Sequence, residues 1–345
     1  GVGSISTRSR PNWPVAKALR DWWKRPVVIR ATNRRRIDAV GPVHFGPFNS
    51  AQSISGRVPL ETKQHLRIGL PSKGRLSEVA GGLLNQAGLT FRRQSRGLFA
   101  KVSGLPIDLI FLRTDDIPTL CAEGAIDMGI TGSDLVEESG AKVETRMKLG
   151  VGRCRLAICV PDDSPIDTAS KLDGTRIATS FPQVTERYLA EHHAQAHLVA
   201  LTGSVEVMIQ LGVADAIVDL VETGSTLAAN RLRILEEIGS YETVLIQHGT
   251  CRDAETADRV VRRLEGVVIA RDYSLLEYNV PRARLAEAEA ITPGFNSPTI
   301  NTLEDSEWCS VAVMVRRQQV IAVMEQLEAL GASAIFEMQI TNCRL

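Results

Sequence analysis

The stretch AIVDLVETGSTLAANRL, from Ala216 to Leu232, begins as an apolar strand, meets carboxylates at Asp219 and Glu222, passes through Thr-Gly-Ser-Thr and ends in what reads as a helix. A turn between a buried strand and a helix points several backbone N–H groups one way, and a helix N-terminus adds about half a positive charge, so the pattern suits an anion. Thr223, Ser225 and Thr226 add hydroxyl donors, and Gly224 permits close approach and positive φ. The lysine of a Walker A loop is missing. Asp219 and Glu222 repel a phosphate and fit better against sugar hydroxyls or a magnesium ion. A phosphate joined to a ribose satisfies both halves. The competing reading is that Asp219 and Thr223 only cap the following helix.

Outward from this turn the texture is regular. LRIGLPSKGRLSEVAGGLL reads as strand, turn and helix, and IDLIFL, DMGIT, RLAICV, RIATS and TVLIQ read as further strands. Helical stretches such as FPQVTERYLAEHH and SVEVMIQLG separate them. Strands alternating with helices predict parallel sheets covered on both faces, with ligands beyond the carboxyl ends of the strands. After the helix AETADRVVRRLEGVVIARDY and the punctuation at Pro281 and TPGFNSPT, a strand WCSVAVMVR, a helix QQVIAVMEQLEALG and a strand SAIFEMQIT predict a small α+β module, with Val320, Met324 and Leu327 on one helix face and Gly331 as its C-terminal cap.

Composition narrows the partners. Forty basic and forty acidic residues leave no net field for a nucleic-acid backbone. No apolar run approaches the ~20 residues that span a bilayer. Neither nucleic acid nor membrane is an expected partner, and a small ligand is. The six cysteines form no C-x-x-C pair, which argues against a zinc site or a disulfide scaffold and for reduced thiols in a cytoplasmic protein. His193 and His197 have helical spacing beside His192, but no motif completes a metal shell, and a solvated helix end is the simpler reading.

The Ala216–Leu232 stretch resembles the phosphoribosyl-pyrophosphate loop of phosphoribosyltransferases. With LRIGLPSKGRLSE, FLRTDDIPTL, GAIDMGITGSDLVEE, TGSVEVMIQLGVADAIVDLVETGSTL and ITPGFNSPT, the chain from about Leu66 to Leu345 is similar to the long-form ATP phosphoribosyltransferase family. The resemblance implies two periplasmic-binding-protein-like α/β lobes over 63–270 and a ferredoxin-like α+β regulatory domain over 271–345. It implies the first step of histidine biosynthesis: N1 of ATP displaces pyrophosphate from phosphoribosyl pyrophosphate, with Mg2+, in dimers or hexamers inhibited by L-histidine. By motif, Thr223, Gly224, Ser225, Thr226 and Leu227 would hold the 5′-phosphate, with Glu222 beside them, and Asp219 and Glu206 would address the ribose. Lys73, Arg75 and Arg96 would meet the pyrophosphate and ATP phosphates, and Arg113 and Asp134 would line the ATP side. Asn279, Phe295, Ser297, Thr299 and Ala334 would form the histidine site, Asn279 standing where family members can carry Asp.

Two rivals remain at this level. A ligand-sensing two-lobed protein shares the layout but should lack a phosphate turn. Another phosphoribosyltransferase would leave the terminal module unexplained.

Residues 1–62 form a basic leader, rich in arginine with Asp21 and Asp38 as acids up to residue 60. It reads as a disordered tail, a plastid or mitochondrial transit peptide, an RNA-touching arm, or translated upstream sequence. Catalysis is expected not to need it. A chain starting near Thr62 should fold and turn over, and a soluble but inactive truncation would make the leader part of the active assembly.

Overall fold

The computed structural model describes residues 65–94 and 97–344, so the leader and Arg96 lie outside the described residues. The first lobe comprises β1 (Leu66–Pro71), α1 (Arg75–Gln86), β2 (Phe99–Lys101), β3 (Ile107–Leu112), α2 (Asp116–Ala122), β4 (Met128–Gly132), α3 (Ser133–Ser139) and β5 (Glu144–Lys148). The second comprises β6 (Cys154–Pro161), β7 (Arg176–Thr179), α4 (Pro182–Glu191), β8 (His197–Ala200), α5 (Val207–Gln210), β9 (Ala216–Val221), α6 (Ser225–Ala229) and β10 (Leu232–Tyr241). The chain then returns to the first lobe with β11 (Thr243–Gln247) and α7 (Ala254–Asp272).

The first sheet runs β2-β3-β1-β4-β11-β5 and the second β10-β6-β9-β7-β8. Both are mixed, which corrects the expectation of parallel sheets. Only β3-β1-β4 and β9-β7-β8 are parallel; β2, β11 and β5 in one sheet, and β6 and β10 in the other, run antiparallel to their neighbours. Strands that enter a lobe from the crossing point run opposite to those built by strand-helix-strand repeats, and hydrophobic alternation does not encode that direction. The central strands read correctly because they are buried on both faces. Strand β10 escaped notice because two register shifts, at Ile234/Glu236 and Glu237/Gly239, break its period of two.

In the first sheet Gly69 and Gly129 are register partners, and a Cβ on either would lie 2.5 Å from Ile126 or Ile117. Their bareness lets α2 sit directly on the sheet. Helix α4 stops at Glu191, His193 has φ 54° and His197 opens β8, so the helical spacing of those histidines is not realised. The helix expected over SVEVMIQLG shrinks to the four residues of α5.

The terminal module comprises β12 (Tyr273–Pro281), α8 (Leu285–Ile291), β13 (Thr299–Thr302), β14 (Trp308–Arg316), α9 (Val320–Ala329) and β15 (Ser333–Gln339), in the order β13-β14-β12-β15, all antiparallel. This is the expected ferredoxin-like βαββαβ arrangement. Leu276, Tyr278, Val280, Val311 and Val313 pack beneath α8 and α9 through Ala288, Val320 and Leu327. Strand β12 was not anticipated, because α7 passes into it at Tyr273 without a punctuating residue.

The chain end then returns to the first lobe. Asn342 donates to the carbonyl of Gln86 at the end of α1 (3.4 Å), and the Cys343 N–H donates to the carbonyl of Gly266 in α7 (3.1 Å). A Cβ on Gly266 would collide with Asn342 Oδ1 and the Cys343 carbonyl. Mid-helix glycine costs about 1 kcal/mol against alanine, and the close crossing of the tail explains it here. Gly266→Val is expected to destabilise the protein by about 1–3 kcal/mol by overpacking. It should also speed alkylation of Cys343, whose thiol lies against the Gly266 carbonyl. Unchanged urea unfolding and unchanged labelling would contradict the packing argument.

Candidate functional site

A hollow of about 230 Å³ opens at the end of β9, lined by Glu206, Asp219, Glu222, Thr223, Gly224, Ser225, Thr226 and Leu227 among others. The predicted phosphoribosyl set thus converges on one cavity. Gly224 has φ +79°, a left-handed backbone that favours glycine, and no atom of the described chain lies within 4 Å of where its Cβ would be. That side is open rather than packed against protein, and Gly224 lines the hollow. The Thr223 and Ser225 hydroxyls are 3.1 Å apart. Helix α6 has only five residues, so its dipole adds less than the sequence suggested, and anion binding rests on the loop amides at its start and the hydroxyls.

Gly224, rather than Asp219 or Thr223, is the N-cap residue of α6, and the Thr223 hydroxyl accepts only a long hydrogen bond, 3.5 Å, from the Ser225 N–H. Asp219 instead accepts a hydrogen bond from the Leu220 N–H at 2.8 Å. Partial burial pushes its carboxyl above the usual range, the Leu220 N–H counters, and the negative charge of Glu206 pushes it further up. Two acids therefore face each other in a hollow that also offers donors.

A second hollow, of about 570 Å³, lies between the lobes and is lined by Arg75, Thr114, Asp134, Gly152, Leu220 and Glu222, with apolar walls from Leu76, Val79, Leu135 and Val151. Its apolar area and few polar groups suit a flat organic ring. Asp134 is 7% exposed; burial raises its pKa, against hydrogen bonds from its own and the Leu135 N–H. Burial, with Asp134 and Glu222 nearby, pushes the Cys154 thiol up to about 11, so it is no nucleophile at neutral pH. Leu220 and Glu222 line both hollows. Arg75 Nη1 donates to Glu222 Oε2 at 2.6 Å, joining the start of α1 to the end of β9.

Other predicted residues fall elsewhere. Lys73 is exposed in the turn before α1, and Arg113 is exposed and 3.5 Å from Asp115; neither lines either hollow. In the terminal module, register pairs Asn279 with Ser310 and Ser333, and Thr299 with Ala312, which places Asn279 and Thr299 on the sheet face opposite α8 and α9. Ser297 lies exposed just before β13. Ala334 has φ 48° in a bulge of β15. Phe295, 5.0 Å from the Tyr273 ring, lines a separate hollow of about 210 Å³ at the other end of β12, roughly 20 Å along the strand from Asn279. One copy of the module therefore does not gather all five residues. Sequence reasoning missed Leu220, Gly152 and Thr243 as walls of the cleft; the turn GVGR around Gly152 was their only sequence signal.

A family model described as ATP phosphoribosyltransferase matches residues 113–266, and one described as HisG, C-terminal domain, matches 270–342. The chain is 77% identical over 280 residues to the ATP phosphoribosyltransferase of Rhodopirellula baltica, covering 81% of this chain and 94% of that protein. It is 40% identical over 282 residues to that of Bifidobacterium longum, covering 81% of this chain and 100% of the relative. Among solved structures it is similar to an ATP phosphoribosyl transferase (HisG:HisZ) complex from Thermotoga maritima, with 29% identity and a TM-score of 0.52 over 59% of this chain and 98% of that one.

Burial of the Asp219 carboxyl, with a smaller push from the Glu206 charge, carries a stability cost with a defined pH window. A carboxyl whose folded pKa lies above its unfolded value disfavours the folded state while ionised, and the penalty fades as pH falls through the folded pKa. Asp219→Asn keeps the acceptor for Leu220 and removes the charge. At pH 7 it is expected to unfold at a higher urea concentration than the parent, with the gain vanishing toward pH 4. A lower midpoint at pH 7 would contradict the electrostatic assignment.

Proposed function

The chain belongs to the ATP phosphoribosyltransferase family, long form, whose reaction is the first step of histidine biosynthesis, and from that membership we propose how the two hollows divide the work. Phosphoribosyl pyrophosphate lies in the hollow of Thr223–Leu227 and ATP in the one between the lobes, so adenine N1 reaches C1 of the ribose across Leu220 and Glu222. The bond from C1 to the pyrophosphate oxygen breaks, the C1–N1 bond forms, and phosphoribosyl-ATP and pyrophosphate leave. The carrying observation is the convergence of Glu206, Asp219 and the Thr223–Leu227 loop on one cavity that shares a wall with a second.

Chemistry of this kind builds positive charge on the ribose ring and negative charge on the leaving group. Asp219 and Glu206 face the ring and stabilise the first, and Arg75 stabilises the second. The loop amides and hydroxyls fix the 5′-phosphate, which orients C1. Lys73, Arg113 and Arg96 belong to this proposal as outer contacts for the phosphates of ATP. Among the described residues no three His, Cys, Asp or Glu side chains form a metal cage. Mg2+, which keeps waters and takes one or two carboxylates plus substrate phosphates, suits the Asp219–Glu206 pair, whose repulsion a cation relieves; bound there, it would neutralise the departing pyrophosphate.

L-Histidine as inhibitor belongs to the terminal module. Because Asn279, Ser297, Thr299, Phe295 and Ala334 do not converge within one copy, the site we propose is completed by a neighbouring subunit of a homo-oligomer, a dimer or hexamer. Among the described residues no helix is long and apolar enough to cross a membrane, and we propose a cytoplasmic location.

Formation of phosphoribosyl-ATP, followed by ultraviolet absorbance with and without histidine, tests the reading as a whole. Within it, Gly224→Val is expected to weaken phosphoribosyl pyrophosphate binding at least tenfold, since left-handed backbone costs an L-residue about 1–2 kcal/mol and a β-branched side chain also enters the hollow. ATP affinity should persist. Calorimetric titration with each substrate decides it, and unchanged affinity for phosphoribosyl pyrophosphate would refute the cradle.

A further inference from the structure

The walls of the two hollows contain four carboxylates, Glu206, Asp219, Glu222 and Asp134, and a single cationic side chain among the described residues, Arg75. That guanidinium is exposed, but one of its nitrogens is already engaged. It is held by Glu222, which borders both hollows and so stands where the two reactants have to meet. Both partners sit at hinge-like positions: Arg75 follows Gly74, whose φ of +79° opens α1 with no atom within 4 Å of its missing Cβ, and Glu222 is the first residue past β9. The side chains are 74% and 49% exposed, so little packing opposes their separation.

From these contacts we propose that Arg75 and Glu222 form a charge gate between the hollows. Glu222 is a positioning residue that occupies Arg75 until a diphosphate group arrives and takes it over. The inference rests on the proposed placement of the substrates. It departs from the expectation that Glu222 contacts the ribose or magnesium. An exposed ion pair is a weak interaction, whereas a guanidinium pairs with phosphate oxygens through parallel, charge-assisted hydrogen bonds. The exchange therefore runs toward the ligand. Once released, the Glu222 carboxylate is repelled by the bound diphosphate and turns from the shared wall, which clears the path between adenine N1 and ribose C1. Without a diphosphate the gate stays closed and the two hollows remain separated.

The gate predicts an unusual sign: removing a carboxylate from the substrate cleft tightens anion binding, and only through Arg75. Inorganic diphosphate, without added metal, is titrated calorimetrically into the parent protein, Glu222→Gln, Arg75→Gln and the double variant. Both positions are exposed, and circular dichroism checks that each variant is folded. Glu222→Gln is expected to bind diphosphate about 2–5-fold more tightly than the parent, the range set by the strength of an exposed ion pair, with the gain shrinking as salt is raised. Against the Arg75→Gln background the same substitution should give no gain. Equal or weaker binding by Glu222→Gln overturns the gate and makes Glu222 a ligand contact or a bystander. A gain that persists in full without Arg75 also overturns it, since general repulsion would then suffice. A parent protein that forms phosphoribosyl-ATP while failing these comparisons loses only the gate; one that forms no product and binds no diphosphate loses the proposed function as well.

Discussion

The geometry of the site depends on one pairing where the chain crosses between lobes. Thr243 donates its N–H to the Val151 carbonyl at 3.0 Å and accepts from the Leu149 N–H at 2.9 Å, which ties the outgoing crossing to the returning one. Gly152, with φ +62°, makes the approach possible: a Cβ there would lie 2.7 Å from Thr243 Oγ1. Next to it, Ser133 and Glu242 exchange hydrogen bonds of 2.9 and 3.1 Å that fix the start of α3 and so the position of Asp134. Because both crossings are held together, the end of β9 and the start of α1 face one another. The two hollows share a wall for that reason.

The cleft carries more negative than positive side chains among the described residues, an arrangement that disfavours the free protein and suits the proposed reaction. Asp219 and Asp134 are both pushed toward their neutral forms, chiefly by burial. In the proposed reaction, positive charge developing on the ribose ring would relieve that strain. The raised Cys154 thiol fits the proposed mechanism, which uses no protein nucleophile.

The terminal module is joined to the first lobe at two points. Helix α7 is packed into the first-lobe core through Ala257, Val260, Leu264 and Val267 and runs directly into β12. The chain end returns from β15 to lie over Gly266 and the last residue of α1. Helix α1 begins at Arg75, so a single 12-residue helix has the module's tail at one end and the cleft at the other.

Local sequence determined a good deal. The buried strands at Leu66, Ile107, Ala216 and Thr243, a small α+β module at the end of the chain and the loop from Thr223 to Leu227 were legible because apolar period and turn chemistry are properties of neighbouring residues, while the ferredoxin-like form of that module came from the family resemblance. The left-handed Gly224 followed from the turn chemistry, whereas Glu206 beside Asp219 was expected only from the family resemblance. Strand direction, the bulged β10, the pairing of Val151 with Thr243, the need for Gly266 and the hold of Glu222 on Arg75 were decided only by tertiary structure. Each of these joins residues distant in the chain, and a contact between distant residues leaves no periodic trace in either segment alone.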